Sequence, residues 1–319
     1  MNKNYNICVA TPIYNGDKYL DRLVSSMIDN PSIHVTWLVR DDGSTDHTWE
    51  KLMEYENSEY PSLDVYAWKG ENRGLTYGRN FLCDKFVNDP VFKEFSHMVF
   101  IDVDDYFAPG WYTSIKFWLG KVTNLFPNEK VPYLCFKYWN ERNNQDECQI
   151  YTKLNTNYKA HQAACQYEDG GWDLLHVIPR DYLIEVKEFD GNYYHVVEGE
   201  KWTPDQHNFL AYTDYKVSYI GDMVAILGKC DENMSSSYYD NVVTRYAKGQ
   251  VDAAIMFMDI YGSDSRNLGF DWHRVPGFRW RWYLKCIIRM IKNGTLVFSN
   301  KKWDNYETPT DVKPSRKFY

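Results

Sequence analysis

The stretch "VTWLVRDDGSTDHTWEKLMEY", Val35 to Tyr55, decides how the rest of the chain is read. Its first six residues, VTWLVR, are mostly apolar and rich in β-branched types, which marks a buried strand. "DDGSTD" (41–46) is polar, contains a glycine and reads as a turn. "TWEKLMEY" (48–55) then takes up a helical pattern. Upstream, "YNICVATP" (5–12) is a strand ended by Pro12, followed by "KYLDRLVSSMIDN" (18–30), with Leu20, Leu23, Val24, Met27 and Ile28 at helical spacing. Downstream come a strand in "LDVYAW" (63–68), a loop entering a helix in "ENRGLTYGRN" (71–80), a strand in "HMVFI" (97–101) and a helix in "GWYTSIKFWLGKVTNLF" (110–126). Strands alternating with helices predict a mostly parallel sheet with helices on both faces.

In such sheets ligands sit outside the carboxyl ends of the strands. Three polar clusters fall there: Pro12–Asn15 after the first strand, Asp41–Asp46 after the second, and Asp102–Asp105 after the fourth. The last, in "FIDVDDYFAP" (100–109), crowds three carboxylates into four positions, where like charges repel. A divalent cation would relieve that repulsion. Mg²⁺ and Mn²⁺ are typically held by one or two carboxylates together with substrate phosphates. A solvated acidic turn before a helix is the structural alternative.

After residue 130 the pattern changes. "PYLCFKYW" (132–139) and "CQIYTK" (148–153) read as strands around the polar loop "NERNNQDE". "IPRDYLIEV" (178–186) and "TPDQHNFLAY" (203–212) read as helices, and "KVSYI" and "MVAIL" as two strands. From about Asn233 the pattern is helical. The chain of 319 residues is 44% hydrophobic and 25% charged, which suits a globular protein with a sizeable core. From Arg266 onward there are 12 Lys and Arg against 4 Asp and Glu, on a body that holds 24 against 40. In "FRWRWYLKCIIRMIK", Arg281, Lys285, Arg289 and Lys292 share one helical stripe. Such a stripe can meet an anionic membrane or a nucleic acid, or can simply be the solvated face of a docked helix. The seven scattered cysteines show no C-x-x-C pair, and no apolar h-region or run of membrane-spanning length is present. A cytoplasmic chain with reduced thiols is expected, peripheral at most to the inner face of a membrane.

"PIYN" (12–15), "DDGSTD" (41–46), "NRGLTYGRN" (72–80) and "FIDVDD" (100–105) occur in that order. Together they resemble the family 2 glycosyltransferases. The resemblance covers residues 5 to about 228, strongly over the first 110. It implies a GT-A fold, a Rossmann-like, mostly parallel central sheet flanked by helices, here with a helical C-terminal extension. The implied organisation is a catalytic domain over 1–230 (a nucleotide-sugar-binding half, 1–110, and an acceptor-binding half, 111–230), with a basic helical extension over 231–319. The implied activity is metal-dependent, inverting transfer of one sugar from a nucleotide sugar, UDP-linked by expectation, to an acceptor hydroxyl.

The resemblance also implies residue roles. Pro12, Tyr14 and Asn15 line the base pocket, and Asp42, with Asp41, hydrogen-bonds the base or ribose. Gly74 allows close backbone approach and Arg79 faces the diphosphate. Asp104 is the main ligand of Mn²⁺ or Mg²⁺, and Asp102 contacts the ribose or a metal-bound water. Asp105 is a third shared acid without an assigned role. Asp46 reads better as a helix N-cap. The family's general base lies at a helix start past the D-x-D. In "VEGEKWTPDQHNFLAY" (197–212), Thr203, Pro204 and Gln206 compose a capped helix start, which places Asp205 in the first turn. Pro204 stands where the family usually has Glu, so Glu200 and Glu198 stay in contention. Trp172 in "EDGGWD" (168–173) could stack on an acceptor, and His195, His207 and His273 are further, weaker metal candidates. The expected acceptor is a surface glycan or lipid-linked saccharide. A hydroxymethylated base in DNA is the alternative acceptor, and a catalytically inert GT-A-like binding module the alternative of another class. The absence of Q-x-x-R-W and of long apolar spans favours single-sugar transfer over processive synthesis.

Overall fold

The computed structural model describes residues 5–58, 60–141, 144–146, 152–157, 174–194 and 215–229. By internal contacts the chain divides into Met1–Asn233 and Met234–Tyr319, and all described residues lie in the first unit. The strands are β1 (Ile7–Ile13), β2 (Val35–Asp41), β3 (Leu63–Lys69), β4 (His97–Phe100), β5 (Tyr106–Phe107), β6 (Tyr133–Asn140), β7 (Gln145–Asp146), β8 (Lys153–Asn157), β9 (Leu174–Pro179) and β10 (Lys216–Leu227). The helices are α1 (Asp17–Met27), α2 (Thr48–Asn57), α3 (Leu75–Asn88), α4 (Trp111–Leu125) and α5 (Arg180–Asp190).

The sheet runs β3-β2-β1-β4-β9-β6-β10-β5, with β7 added to β6 and β8 to β10. β3, β2, β1 and β4 are parallel neighbours; β9 lies antiparallel between β4 and β6, and β6 and β10 are again parallel. All seven residues of β1 and of β2 are buried, as expected for central strands covered on both faces, whereas edge strand β3 is only partly buried. Alternation sorts the helices between the faces. Ile7, Val9, Val35, Trp37 and Val99 share one core with Leu20, Leu23, Val24 and Met27 of α1, Leu52 of α2, and Trp111, Ile115 and Leu119 of α4. Buried Leu82 and Phe86 of α3 and Tyr182 of α5 lie outside that core, and α3 packs on β1, β2 and α5. Trp37 is fully buried and donates its indole N–H to Thr11 Oγ1 at 2.9 Å, so the polar end of a large apolar residue stays paired.

The second half differs from the sequence expectation in four places. "KVSYI" and "MVAIL" are one strand, β10, whose pairing with β6 shifts register between Ile220 and Ala225. Within the irregularity Asp222 is exposed and accepts from Trp118 Nε1 at 2.6 Å, and the polar Gly221–Asp222 pair there reads in the sequence as a strand break. β9 was not foreseen, because "LLHVIP" merges into the apolar start of α5. The expected strand over 148–153 corresponds only at its last residue to β8; Thr152 is outside the strand, and 148–151 lie outside the described residues. The polar loop "NERNNQDE" carries the two-residue strand β7. The expected helix over 203–212 and the C-terminal extension also lie outside the described residues. No helix among the described residues is long and apolar enough to cross a membrane.

Candidate active site

The loops after β1 and β2 are stitched together. The Asp42 amide donates to Ile13 O at 2.7 Å, the Asn15 amide to Ser44 Oγ at 2.9 Å, and the Thr45 amide to Asn15 Oδ1 at 2.9 Å. Asn15 has φ 53°, a left-handed conformation that Asn tolerates better than most residues. Tyr14 beside it is about half exposed, which leaves its ring at the rim, while Pro12 is buried under α3. Asp46 accepts from the Thr48 amide and hydroxyl at 3.1 and 2.5 Å and from the Asp17 amide at 3.3 Å. Burial pushes its carboxyl up, but those hydrogen bonds more than offset it and hold it below the usual carboxylate range. Asp46 therefore has a structural role, although the capping position of α2 is His47.

Asp41 and Asp42 do different things. Asp42 is buried beside Arg40, with which it forms an ion pair; side-chain exposures are 7% and 4%. Its carboxylate also accepts from the Arg73 amide at 3.1 Å and the Gly74 amide at 2.6 Å. Arg40 in turn lies over the rings of Tyr77 and Phe81. Asp42 thus braces the loop that leads into α3. Gly74 has φ 90°, which an L side chain rarely adopts, and it caps α3 with its amide turned to that carboxylate. Asp41 Oδ1 accepts from the Ser44 amide at 2.8 Å. Its Oδ2 is buried with no hydrogen-bond partner, and Lys69 Nζ lies 3.7 Å away.

The acidic turn after β4 is anchored by its backbone. The Asp105 amide donates to Asp102 O at 3.1 Å, and Asp104 O accepts from Arg22 Nη2 at 2.5 Å. Asp105 is buried and accepts the Gly228 amide at 3.0 Å, so the third acid ties the turn to the end of β10. Gly228 is a site residue missed in the sequence: a Cβ there would stand 2.0 Å from Asp104 O. Nothing local signals it, because the contact spans over a hundred residues. Asp102 keeps a half-exposed side chain, and Arg79 on α3, 13% exposed, reaches it at 3.5 Å from Nη2 to Oδ1. Arg79 is therefore no mere surface charge.

The donor set can be tested against a divalent cation. Asp102 and Asp104 are partly exposed carboxylates flanking one residue on an anchored turn. Among the described residues no group of three or more His, Cys, Asp or Glu is arranged to hold a metal. Two hard oxygens of that kind suit Mg²⁺ or Mn²⁺ completed by phosphate and water, not a closed Zn²⁺ site. Asp205, Glu200, Glu198, Trp172, His195, His207, His273 and the basic stretch from Arg266 lie outside the described residues.

Residues 8–162 match the family model described as glycosyl transferase family 2. This part of the chain belongs to that family. Of the site residues that the structure describes, the matched span contains all but Gly228, and it contains all four motifs. Among curated relatives, the dTDP-rhamnosyl transferase RfbG of Shigella flexneri is 25% identical over 182 residues, 55% of this chain and 56% of that protein. The putative teichuronic acid biosynthesis glycosyltransferase TuaG of Bacillus subtilis is 30% identical over 99 residues, 31% of this chain and 36% of that protein. The matches thus span about half and about a third of those relatives. Among solved structures, S. aureus TarS in complex with UDP-GlcNAc aligns with a TM-score of 0.56 at 16% identity, over 88% of this chain and 79% of that one. The mannosyltransferase PcManGT from Pyrobaculum calidifontis, in complex with GDP-Man and Mn²⁺, aligns with a TM-score of 0.53 at 13% identity, over 93% of this chain and 77% of that one. At such identities these likenesses establish the fold, a mixed α/β GT-A domain.

Proposed function

We propose that this chain is an inverting glycosyltransferase that moves one sugar from a pyrimidine nucleoside-diphosphate sugar to a hydroxyl of a glycan or lipid-linked saccharide. One observation carries the reading: at the carboxyl ends of β1, β2 and β4, Asp102 and Asp104 sit on an anchored turn that Arg79 of α3 reaches, beside Asp41 at the end of β2 and the stitched loops that hold Tyr14. In this reading the buried Asp41 Oδ2 accepts an N–H of the base, Tyr14 offers a flat face at the rim, and Pro12 and Asn15 shape the pocket. Asp42 acts through the loop it braces, and Gly74 lets the backbone come close. A uracil or thymine ring offers that N–H, which fits both a UDP sugar and the dTDP sugar in the name of RfbG. Arg79 faces the diphosphate. Asp104, with Asp102, holds Mn²⁺ or Mg²⁺, which when bound stabilises the departing diphosphate as a Lewis acid.

Asp205 is the proposed base, with Glu200 and Glu198 as its competitors. It takes the acceptor proton while the acceptor oxygen bonds to the anomeric carbon and the bond from that carbon to the diphosphate oxygen breaks. TuaG, named for teichuronic acid biosynthesis, is in keeping with a polysaccharide acceptor. Calorimetric titration with UDP, dTDP and GDP, with and without Mn²⁺, tests the donor site. Binding of UDP or dTDP strengthened by Mn²⁺ is expected, and no binding of any of the three in either condition would defeat the reading. Asp205→Asn should abolish transfer while sparing nucleotide affinity; normal turnover would remove it as the base.

A further inference from the structure

The side chain of Asn80 uses its full hydrogen-bonding capacity, three of its four bonds going to the Tyr193–Tyr194 backbone. Oδ1 accepts the amides of Tyr193 and Tyr194, both at 2.9 Å, while Nδ2 donates to Tyr194 O at 2.9 Å and to Thr76 O at 3.1 Å. Two acceptor and two donor positions are all that a primary amide has. The two tyrosines follow α5, more than a hundred positions along the chain from Asn80, so those three bonds join the helix that carries Arg79 to the turn that leaves α5.

Asn80 heads a polar stripe on α3 at spacing i, i+4, i+8. Asp84 accepts from Lys187 Nζ at 2.7 Å, and Asn88 Nδ2 donates to the Tyr193 hydroxyl at 3.4 Å. The stripe docks α5 along α3, and its first member holds the end nearest the site. There the Tyr194 ring meets Phe100 edge-to-face at 5.8 Å, and the Arg79 guanidinium lies 5.6 Å from the Tyr194 ring and 6.0 Å from Phe100. Arg79 is thus flanked by two aromatic rings, one on β4 and one placed by Asn80. A guanidinium on a long stem loses much rotamer freedom when it must point one way, and aromatic walls reduce that freedom before a ligand arrives.

We infer that Asn80 is a positioning residue of the donor site: by clamping the Tyr193–Tyr194 backbone it seats the Tyr194 ring against Arg79 and aims the guanidinium at the diphosphate. This rests on the donor reading given above. It assigns Asn80 no contact with substrate, so its effect appears only for ligands that use Arg79.

The test compares wild type, Asn80→Ala, Tyr194→Leu and the double variant, each checked for a cooperative thermal transition. Hydrogen exchange without ligand reads the clamp directly. In Asn80→Ala the Tyr193 and Tyr194 amides should exchange about tenfold faster or more, with β1 and β2 unchanged. Unaltered exchange at both amides overturns the clamp. Titration with UDP and with UMP, each with Mn²⁺, reads the consequence. Asn80→Ala should weaken UDP about tenfold while changing UMP by less than about threefold, because loss of aim affects the phosphate that UMP lacks. The double variant should be no worse than the poorer single one, since both changes remove the same support. Equal losses for UDP and UMP, or losses that multiply in the double variant, overturn the coupling to Arg79. Absence of UDP and UMP binding to the wild type would sink the donor reading and the aiming role with it, while the exchange measurement would still judge the clamp. Should Asn80→Ala fail to fold, Asn80→Ser, which keeps one acceptor and one donor, takes its place with the same expected signs.

Discussion

Replacing Asp42 by Asn should destabilise the protein far more than the loss of a surface charge would. Asp42 and Arg40 are almost wholly shielded from water, at 7% and 4% exposure. Breaking a buried pair by neutralising one partner costs about 3–5 kcal/mol, because the other charge stays buried without compensation. The amide brings a second penalty. The carboxylate now accepts three donors, Arg40 Nη1 and the Arg73 amide on Oδ1 and the Gly74 amide on Oδ2. An Asn side chain in the same place must turn an NH₂ toward at least one of them, and its better orientation gives up Gly74. Against a total stability of about 5–15 kcal/mol the first penalty alone is large. At about 2–4 °C per kcal/mol for a domain of this size, the midpoint should fall by roughly 6–20 °C. Arg40→Met should also destabilise, but the double variant Arg40→Met/Asp42→Asn should be more stable than the sum of the singles by about 1–3 kcal/mol. Urea unfolding followed by tryptophan fluorescence measures all four proteins. A loss below about 1 kcal/mol for Asp42→Asn, or singles that simply add, would refute the description of Asp42 as a buried brace.

Three other outcomes are expected. Gly228→Ala places a Cβ 2.0 Å from Asp104 O, against backbone that cannot swing aside, so the acidic turn must shift; Mn²⁺-dependent UDP affinity should fall about tenfold or more, and unchanged affinity would show that the turn is not held from β10. Asp104→Asn should remove the gain in UDP affinity on adding Mn²⁺ while leaving the affinity without metal within about threefold, read by calorimetry. His97 is buried, with Nε2 against Pro132 O at 3.0 Å and Nδ1 against Ser96 Oγ at 2.8 Å, and burial lowers its pKa from 6.5 to about 4. The unfolded chain then takes up the proton first as pH falls, so the contribution of His97 is full above about pH 6.5 and drains away toward pH 4, by about 3 kcal/mol in all. His97→Gln should be less stable at pH 7.5 yet show a shallower loss between pH 6.5 and 4.5 in urea unfolding; parallel curves would remove His97 as the cause.

Much of this was open to reading along the chain. The β1-α1-β2-α2-β3-α3-β4-α4 alternation emerges from local periodicity, because the central strands β1 and β2 are buried on both faces and the helices bury one stripe. The four motifs are visible for a related reason: a crevice at the carboxyl ends of parallel strands draws its residues from the few positions right after each strand, so they appear as polar punctuation. Beyond residue 140 that rule lapses. β9 enters antiparallel between β4 and β6 and is hidden against the start of α5, and β10 runs through an irregularity near Asp222, so it reads as two strands, not one. The sequence by itself established the parallel α/β half, its family and the location of the acids. Only the tertiary structure separated their tasks: Asp41 with an unmet buried oxygen, Asp42 committed to Arg40 and the Gly74 loop, Asp105 tied to Gly228, and Asn80 holding Tyr193 and Tyr194. Identical carboxylates look alike in a sequence, and their roles depend on partners that the fold brings close, some near in the chain, as Arg40 is to Asp42, and others, as Gly74 and Gly228, tens to more than a hundred residues away.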